Sequence, residues 1–420
     1  MIERFDRQMR IEGWNQEKLS KAKIAIIGDD KNIVSMYIAS SAALGINNQL
    51  VISPCLEDKL LEIGKKINPD LELCILKGYF SHRDMGKLLE DCSAIVDFSN
   101  YSLGKKLLIE LAWKNYIPLI IVNTENKREA KIFTYVNGRE WKELEEIMPK
   151  KALPIENNAI KNEDFLLSII ASGLALEETK NVLMNKKTSR EIIRYRLEEI
   201  KDKELEKIQK MKVLIVGAGA LGNFVALGLG YLGVKNIDII DPDNIENTNL
   251  NRQILFYDAV GKEKAYVLAE RISELFKIEA KGIKGYFTYD TPIKHYDVIF
   301  DCVDNFESRI VMSEKCKKEK KYLISGGTSY KAGQVVCYNP KTSKKTPAEL
   351  LGLYEIVNVK KIENYKRDRA SCTYQPDPSV IMSNQIIAGV MVDKLCSIDK
   401  QIEQRIWFYD AESDKKIGIV

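Results

Sequence analysis

Two short apolar segments of nearly identical form constrain the fold of this chain more than any other feature. Lys23–Gly28 reads KIAIIG, and the segment 212–217 reads KVLIVG. Apolar, β-branched runs of this length that end in glycine are typical of the first buried strand of a parallel sheet. A charged helical stretch precedes each run (residues 10–22 and 196–211), and a helical pattern and another apolar strand follow it. This alternation predicts an α/β protein with two Rossmann-like, doubly wound units.

A second match supports an internal repeat. IVDF (95–98), a helix and PLII (118–121) match IFDC (299–302), a helix and YLIS (322–325). Between the two matched points the first half is shorter by about 15 residues, at the place where the second half carries NTNLNRQ. Any two Rossmann-like units resemble each other to some degree, but a duplicated ancestor accounts better for both matches. We therefore predict two domains, residues 1–185 and 186–420.

The composition narrows the class of protein. A chain of 420 residues with 45% hydrophobic content can build a core for each of two domains. The formal charge of +4 comes from interspersed Lys and Glu, and no basic stripe indicates a nucleic-acid partner. No apolar run reaches the ~18 residues that a membrane span needs. Eight cysteines without a Cys-x-x-Cys pair, with only two histidines, argue against structural zinc. We expect a cytoplasmic enzyme with free cysteines.

The sequence GAGALG, directly after the second apolar run, predicts a phosphate-binding loop. Glycines such as Gly217 and Gly219 let the backbone turn and approach a phosphate, and the loop opens a helix predicted at 223–232, whose unpaired N–H groups attract anions. Asp241 ends the next predicted strand, where an acidic residue commonly accepts hydrogen bonds from ribose hydroxyls. These features fit NAD, FAD or ATP equally well.

Three further motifs favour ATP. NTNLNRQ (247–253), GKEK (261–264) and DCVDN (301–305) follow in order. Arg252 and Lys264 can neutralise phosphates and a leaving pyrophosphate, and Asp304 can bind Mg²⁺. Hydride transfer would need no such cluster of charges.

In this order and spacing, the four motifs resemble the ThiF/MoeB and ubiquitin-activating enzyme superfamily over essentially the whole second half. The resemblance implies an ATP-dependent adenylating enzyme. The nucleotide-binding or magnesium residues that it implies are Gly217, Gly219, Ala220, Asp241, Asn249, Arg252, Gln253, Lys264, Asp304 and Asn305. Structural alternatives exist: Asn249 can cap a turn, Asp241 can end a strand, and Lys264 can be a surface lysine.

The first half looks like a degenerate copy of this site. It reads GDDKNI (28–33) where the second half has its glycines, and Asn100 stands in the place of Asp304. Its opening segment RFDRQMRIEG (4–13) nevertheless resembles the family segment whose arginine crosses a dimer interface to the partner's ATP. Arg7 is the matching position. We therefore predict an intramolecular pseudo-dimer in which Arg7 of the first half contacts the phosphates bound by the second half. A single chain could then be the functional unit. The alternative is that these arginines only cap a surface helix.

Cys372 is the candidate nucleophile. It lies in ASCTYQPDPS (370–379), ahead of an apolar helix predicted from about residue 380 to 395, where Asp377 and Pro378 are natural helix-start residues. The segment resembles the crossover segment of ubiquitin-like-protein-activating enzymes, especially the autophagy type, whose cysteine takes the modifier as a thioester. A buried structural cysteine is the alternative.

The sequence thus predicts that ATP and Mg²⁺ activate the C-terminal carboxylate of a small Gly-Gly-ending, ubiquitin-like protein as an acyl-adenylate, followed by transfer to Cys372 and then to a downstream acceptor or conjugating protein. No appended ubiquitin-fold domain is expected, because only a short polar tail follows the strand predicted at 405–409. The rivals are an enzyme that adenylates a peptide carboxylate, a dinucleotide-binding oxidoreductase, and a non-catalytic scaffold.

Overall fold

The computed structural model describes residues 3–139, 144–154, 164–357, 377–400 and 404–420. The strands of the first half are β1 Lys23–Gly28, β2 Asn48–Ile52, β3 Glu72–Leu76, β4 Ala94–Phe98, β5 Leu119–Asn123, β6 Glu129–Tyr135 and β7 Ile193–Arg196. Its helices are α1 Asp6–Met9, α2 Gln16–Lys21, α3 Lys31–Leu44, α4 Asp58–Ile67, α5 Ser102–Asn115, α6 Leu144–Ile147 and α7 Asp164–Leu183.

The second half repeats this order. Its strands are β8 Lys212–Val216, β9 Asn236–Asp241, β10 Glu279–Lys284, β11 Val298–Asp301, β12 Tyr322–Thr328, β13 Ala332–Tyr338, β14 Ile406–Asp410 and β15 Ile417–Ile419. Its helices are α8 Asp202–Gln209, α9 Ala220–Leu232, α10 Lys264–Phe276, α11 Phe306–Glu319, α12 Pro347–Leu350, α13 Leu353–Ile356 and α14 Ile381–Leu395. Short 3₁₀ turns lie at 3–5, 83–88, 247–249, 254–256 and 398–400.

Each half forms one mixed sheet, and the two sheets have the same topology. The orders are β3-β2-β1-β4-β5-β6-β7 and β10-β9-β8-β11-β12-β13-β14-β15. The first five strands of each order run parallel, and the remaining strands pair antiparallel. In both sheets the order of the strands reverses beside the central strand, β1 or β8. Open α/β sheets bind their ligands at such a reversal of strand order. The prediction of two Rossmann-like units is confirmed.

The length difference between the halves lies where the sequence placed it. The connection from β2 to α4 covers residues 53–57, whereas the connection from β9 to α10 covers residues 242–263 and contains two 3₁₀ turns. The first sheet also includes β7, whose residues pair with β6 from Glu129 to Ile132. That strand comes after residue 185, so the first sheet extends into the segment that we assigned to the second domain.

Two long helices join the halves. The helices α7 and α14 pack on each other, and each also contacts the first helix after the central strand of its own half, α3 or α9. They approach closely at two glycines: a Cβ on Gly173 would lie 2.9 Å from a side-chain atom of Ile386, and one on Gly389 would lie 2.4 Å from Ile170. One continuous apolar core therefore runs through both halves, with a separate core on the outer face of each sheet. This packing forms the predicted intramolecular pseudo-dimer.

None of the helices in the described ranges combines the length and apolar character that crossing a bilayer would require.

Candidate functional site

The glycine loop of the second half opens onto free space at the N-terminus of α9. Gly217 has φ +99°, and a Cβ there would lie 2.8 Å from the carbonyl oxygen of Cys302, so only glycine fits. Gly219 is the N-cap residue of α9, whose first residue is Ala220, and it provides no side chain to cap the helix. A Cβ on Gly219 would meet no atom within 4 Å. The first N–H groups of this helix can therefore face an anion.

The carboxylate of Asp241 holds this loop in place. At the end of β9, its Oδ2 accepts a hydrogen bond from the backbone N–H of Ala218 (2.7 Å), and its Oδ1 accepts one from the N–H of Asp243 (2.9 Å). Burial raises the pKa of Asp241, against the opposing effect of the nearby Lys264 ammonium. Asp241 thus organises the phosphate-binding loop, and the predicted contact with ribose stays a prediction.

Sequence reasoning missed Asn223, a second residue that holds the loop. Its amide group, fully buried on α9, donates to the carbonyl oxygens of Ala218 (3.1 Å) and Gly219 (3.0 Å). Its Oδ1 accepts from the backbone N–H of Leu255 (3.0 Å), just after the NTNLNRQ segment. Asn223 therefore ties the glycine loop to that segment. A polar residue within an otherwise apolar helix was the available signal.

The segment 247–253 lies between β9 and α10 and is largely buried. Asn249 does cap a turn, because its Oδ1 accepts from the backbone N–H of Glu246 (3.0 Å). Gln253 is buried, and its Oε1 accepts no hydrogen bond from the described residues. An unpartnered buried amide oxygen is costly unless a ligand or water supplies a donor.

Arg252 is a buried cation that no carboxylate of the described chain neutralises within 4 Å. It is 6% exposed, and its Nη1 donates to two neutral acceptors, the carbonyl of Thr248 (2.8 Å) and Oδ1 of Asn251 (2.7 Å). Burial and, to a smaller extent, the charge of Arg7 lower the pKa of Arg252 to about 9, against the opposing effect of the Glu246 and Asp304 carboxylates. A guanidinium in this state favours a bound anion.

Lys264 is the first residue of α10 and is also buried. Its Nζ lies 3.1 Å from Oδ2 of the exposed Asp243, and its charge reaches Asp241. Lys264 is therefore not the surface lysine of the alternative interpretation.

Asp304 and Asn305 follow β11 on the other side of β8. Asp304 is exposed, whereas Oδ1 of Asn305 caps α11 by accepting from the N–H of Ser308 (2.8 Å). Arg309, which the sequence analysis did not single out, donates to the carbonyl oxygens of Val303 (2.7 Å) and Gly326 (2.6 Å). It fixes the loop that carries Asp304. No group of three or more His, Cys, Asp and Glu side chains forms a metal site within the described ranges.

Arg7 reaches this site from the first half. Burial and the charge of Arg10 lower the pKa of Arg7, while carboxylates that include Glu246 and Asp304 of the second half raise it. Its Nη1 donates to the carbonyl oxygen of Asp377 (2.9 Å), next to α14. Arg7, Arg252 and Asp304 therefore lie close enough for their charges to influence one another. A role of Arg7 toward phosphate stays a prediction.

The equivalent place in the first half is filled by its own side chains. Asp30, the N-cap of α3, accepts from the N–H of Asn32 (2.9 Å) and from Nζ of Lys127 (2.9 Å). Asp29 accepts from the N–H of Asn100 (3.0 Å). The helix N-terminus that is open in α9 is closed in α3 by a carboxylate.

Cys372 lies outside the described residues. Among the other cysteines, Cys55 and Cys74 are exposed. Burial raises the pKa of the Cys302 and Cys316 thiols, which makes them poor nucleophiles.

Comparison with known proteins gives one family match and several partial matches to relatives and solved structures. The model of the ThiF family matches residues 188–415, more than half of the chain. The adenylyltransferase and sulfurtransferase MOCS3 of Dictyostelium discoideum is 39% identical over 132 residues, which cover 30% of this chain and 31% of that protein. The molybdopterin-synthase adenylyltransferase of Haemophilus influenzae is 33% identical over 154 residues, which cover 36% of this chain and 63% of that protein. The matches therefore span less than two thirds of these relatives. The crystal structure of E. coli MccB with succinimide shares 21% identity, with a TM-score of 0.42 over 52% of this chain and 64% of that chain.

Proposed function

Because the chain belongs to the ThiF family, we propose that it is an adenylyltransferase that activates the C-terminal carboxylate of a small ubiquitin-like protein ending in Gly-Gly. In the proposed reaction a carboxylate oxygen attacks the α-phosphorus of ATP, the bond to the bridging oxygen of pyrophosphate breaks, and an acyl-adenylate forms. The names of the relatives support an adenylyltransferase. The nature of the acyl donor is our own inference.

The observation that carries the proposal is the buried Arg252. Its charge meets only neutral acceptors among the described residues, and the uncapped N-terminus of α9 belongs to the same site. Both features favour the binding of a polyanion. Asn223 links the glycine loop before α9 to the NTNLNRQ segment that carries Arg252. Hydride transfer releases no pyrophosphate, so it needs no buried cation to stabilise a leaving group.

Each residue of the site has a role in this reaction. The glycine loop and the N-terminus of α9 would bind phosphates through backbone N–H groups. Arg252, Lys264 and Arg7 would stabilise the negative charge that develops on pyrophosphate as it leaves. The exposed Asp304 would hold Mg²⁺, and a bound Mg²⁺ would spread that charge further. The first half would bind no ATP, because carboxylates occupy its phosphate positions.

We further propose that the acyl group then passes to the thiolate of Cys372, with release of AMP and formation of a thioester. This step would require the segment that follows residue 357 to bring the thiol to the adenylate. The names of the relatives above do not describe such a step.

Pyrophosphate–ATP exchange tests adenylation directly. The full chain is incubated with ATP, Mg²⁺, labelled pyrophosphate and a Gly-Gly-ending ubiquitin-like protein from the same host. The matched control is the same small protein with an amidated C-terminus. Exchange that depends on the free carboxylate supports the proposal, and exchange that needs only a short peptide carboxylate favours the peptide-activating alternative.

A non-reducing gel tests the thioester. Wild type and Cys372→Ala are compared after incubation with the same donor and ATP. An adduct that reductant removes and that Cys372→Ala lacks supports the thioester step. Exchange without any such adduct would leave adenylation standing and reject the role of Cys372.

A further inference from the structure

A chain of amide hydrogen bonds connects the first half to Arg252. Nε2 of Gln8 donates to the carbonyl oxygen of Leu44 (3.0 Å), and Oε1 of Gln8 accepts from Nδ2 of Asn251 (2.9 Å). Oδ1 of Asn251 then accepts from Nη1 of Arg252 (2.7 Å). Gln8 belongs to the first half, and the other two side chains belong to the NTNLNRQ segment. The chain therefore crosses the boundary between the halves.

The direction of each bond in this chain is fixed at both ends. The carbonyl oxygen of Leu44 can only accept, and the guanidinium of Arg252 can only donate. Gln8 must therefore turn its NH₂ group toward Leu44 and its oxygen toward Asn251, and Asn251 must turn its oxygen toward Arg252. Both amide side chains are fully buried. A flipped amide in either place would bring two donors or two acceptors together in a dry environment, which is costly.

This arrangement holds a buried cation without neutralising it. A carboxylate in the place of Asn251 would also accept from Arg252, but it would form an ion pair and remove the positive charge from the site. An amide oxygen orients the guanidinium and leaves its charge for a ligand. The first half would then contribute more to the site than Arg7.

We propose that Gln8 and Asn251 are positioning residues, which hold the Arg252 guanidinium toward the phosphates of ATP. This inference rests on the proposed function, since it needs ATP as the ligand. Neither residue has to touch the nucleotide. Their effect passes through Arg252, so it must appear in the binding of phosphates and not in the binding of the nucleoside.

The test compares ATP with adenosine as calorimetric probes of the full-length chain in the presence of Mg²⁺. Gln8→Met and Asn251→Leu remove polar groups at similar volume. Asn251→Leu removes a hydrogen bond to the charged Arg252, and Gln8→Met removes the bond that orients Asn251. Each variant is therefore expected to weaken ATP binding by roughly tenfold or more, while adenosine binding changes little. The double variant should be no worse than the worse single variant, because the two residues act in one chain.

A matched control is Gln49→Leu. Gln49 is a buried glutamine on β2 that donates to Oγ of Ser41 (3.0 Å) and to the carbonyl of Ile46 (2.9 Å), with no contact to the NTNLNRQ segment. It should lower the melting temperature as the other variants do and leave the ratio of ATP to adenosine affinity unchanged. A fourth variant, Asn251→Asp, keeps the shape and should also weaken ATP binding by pairing with Arg252.

The outcomes distinguish a failure of the proposed function from a failure of the positioning role. A wild-type chain that binds no ATP would overturn both the proposed function and the positioning role. A wild type that binds ATP, with Gln8→Met and Asn251→Leu that keep the same ratio of affinities, would overturn the positioning role alone. If either variant fails to fold, Asn251→Asp decides: ATP affinity equal to that of wild type would refute the need for a neutral acceptor.

Discussion

Replacing Gly219 by aspartate would give the second half the helix cap of the first. Gly219 and Asp30 occupy the same position, the N-cap of the first helix after the central strand. Gly219 has φ −69°, and a Cβ there meets no atom within 4 Å, so the new side chain fits without backbone strain. In the first half the Asp30 carboxylate accepts from the N–H of Asn32 at 2.9 Å, and the substituted residue can bond in the same way.

We expect Gly219→Asp to fold normally but to bind ATP much more weakly. An aspartate cap adds a few tenths of a kcal/mol to the stability of a glycine-capped helix, so the melting temperature should stay level or rise slightly. Two unit charges ~4 Å apart at an effective dielectric constant of ~20 repel by about 4 kcal/mol, which corresponds to a loss of affinity of about a thousandfold. Calorimetric titration with ATP and Mg²⁺ measures this loss.

Gly219→Asn separates charge from volume. Asparagine caps a helix about as well as aspartate and occupies the same space, but it carries no charge. Gly219→Asn should therefore lose much less ATP affinity than Gly219→Asp, because it lacks most of the electrostatic repulsion. Equal losses in the two variants would remove the electrostatic argument, and wild-type affinity in Gly219→Asp would refute the assignment of the phosphate position itself.

Three further predictions concern contacts within the fold and the packing of the glycine loop. Tyr195→Phe removes the hydroxyl that donates to the buried carboxylate of Asp393 (2.6 Å) on α14 and should cost roughly 1.5–3 kcal/mol in a urea titration. The bonded Arg190 lowers the pKa of Asp414 to about 2, so Asp414 is ionised in the folded chain at a pH where the unfolded chain binds a proton. The contribution of Asp414 to the stability of the fold is therefore complete above pH ~4 and is lost as the pH falls toward 2. Asp414→Asn should therefore lower stability near neutral pH by about 1 kcal/mol after solvent screening, and the difference from wild type should shrink in urea titrations repeated at lower pH. Gly222→Ala places a Cβ 2.0 Å from a backbone oxygen of the glycine loop, and both the melting temperature and ATP affinity should fall.

Much of the fold could be predicted because the central strands of both sheets are short, apolar and buried on both faces. The runs at β1 and β8 are almost wholly buried, so period and length identify them without tertiary information. The gap between the matched points located the extra segment of the second half, which the structure places at 242–263. The end of the apolar helix α14 at Leu395 also agrees with its pattern.

The rest depends on contacts between residues that are far apart in sequence. The predicted start of the apolar helix at about residue 380 agrees with α14, which begins at Ile381, but Asp377 and Pro378, good helix-start residues, lie ahead of the helix and do not begin it. The backbone N–H of Ser379 donates to the carbonyl of Arg7 (3.3 Å), and Arg7 donates to the carbonyl of Asp377, so the first half holds this stretch extended. Local propensity cannot include such a partner. The positions of Asn223, Gln8 and Asn251 escaped prediction for the same reason.

The two halves satisfy their buried charges in different ways, and this difference explains why only one of them has a candidate site. In the first half the buried Asp97 pairs with the buried Lys105 (3.0 Å). At the equivalent places of the second half, Asp301 accepts from the hydroxyl of Ser325 (2.6 Å), while Arg309 donates to backbone carbonyls and braces the loop of the site. A pair that closes on itself contributes to folding and leaves nothing for a ligand. Arg309 instead donates to the backbone and keeps the loop of the site open. The uncapped helix α9 and the unneutralised Arg252 then remain available to an anion. The first half has thus become the support of the second, to which it supplies Arg7, Gln8 and one of the two central helices.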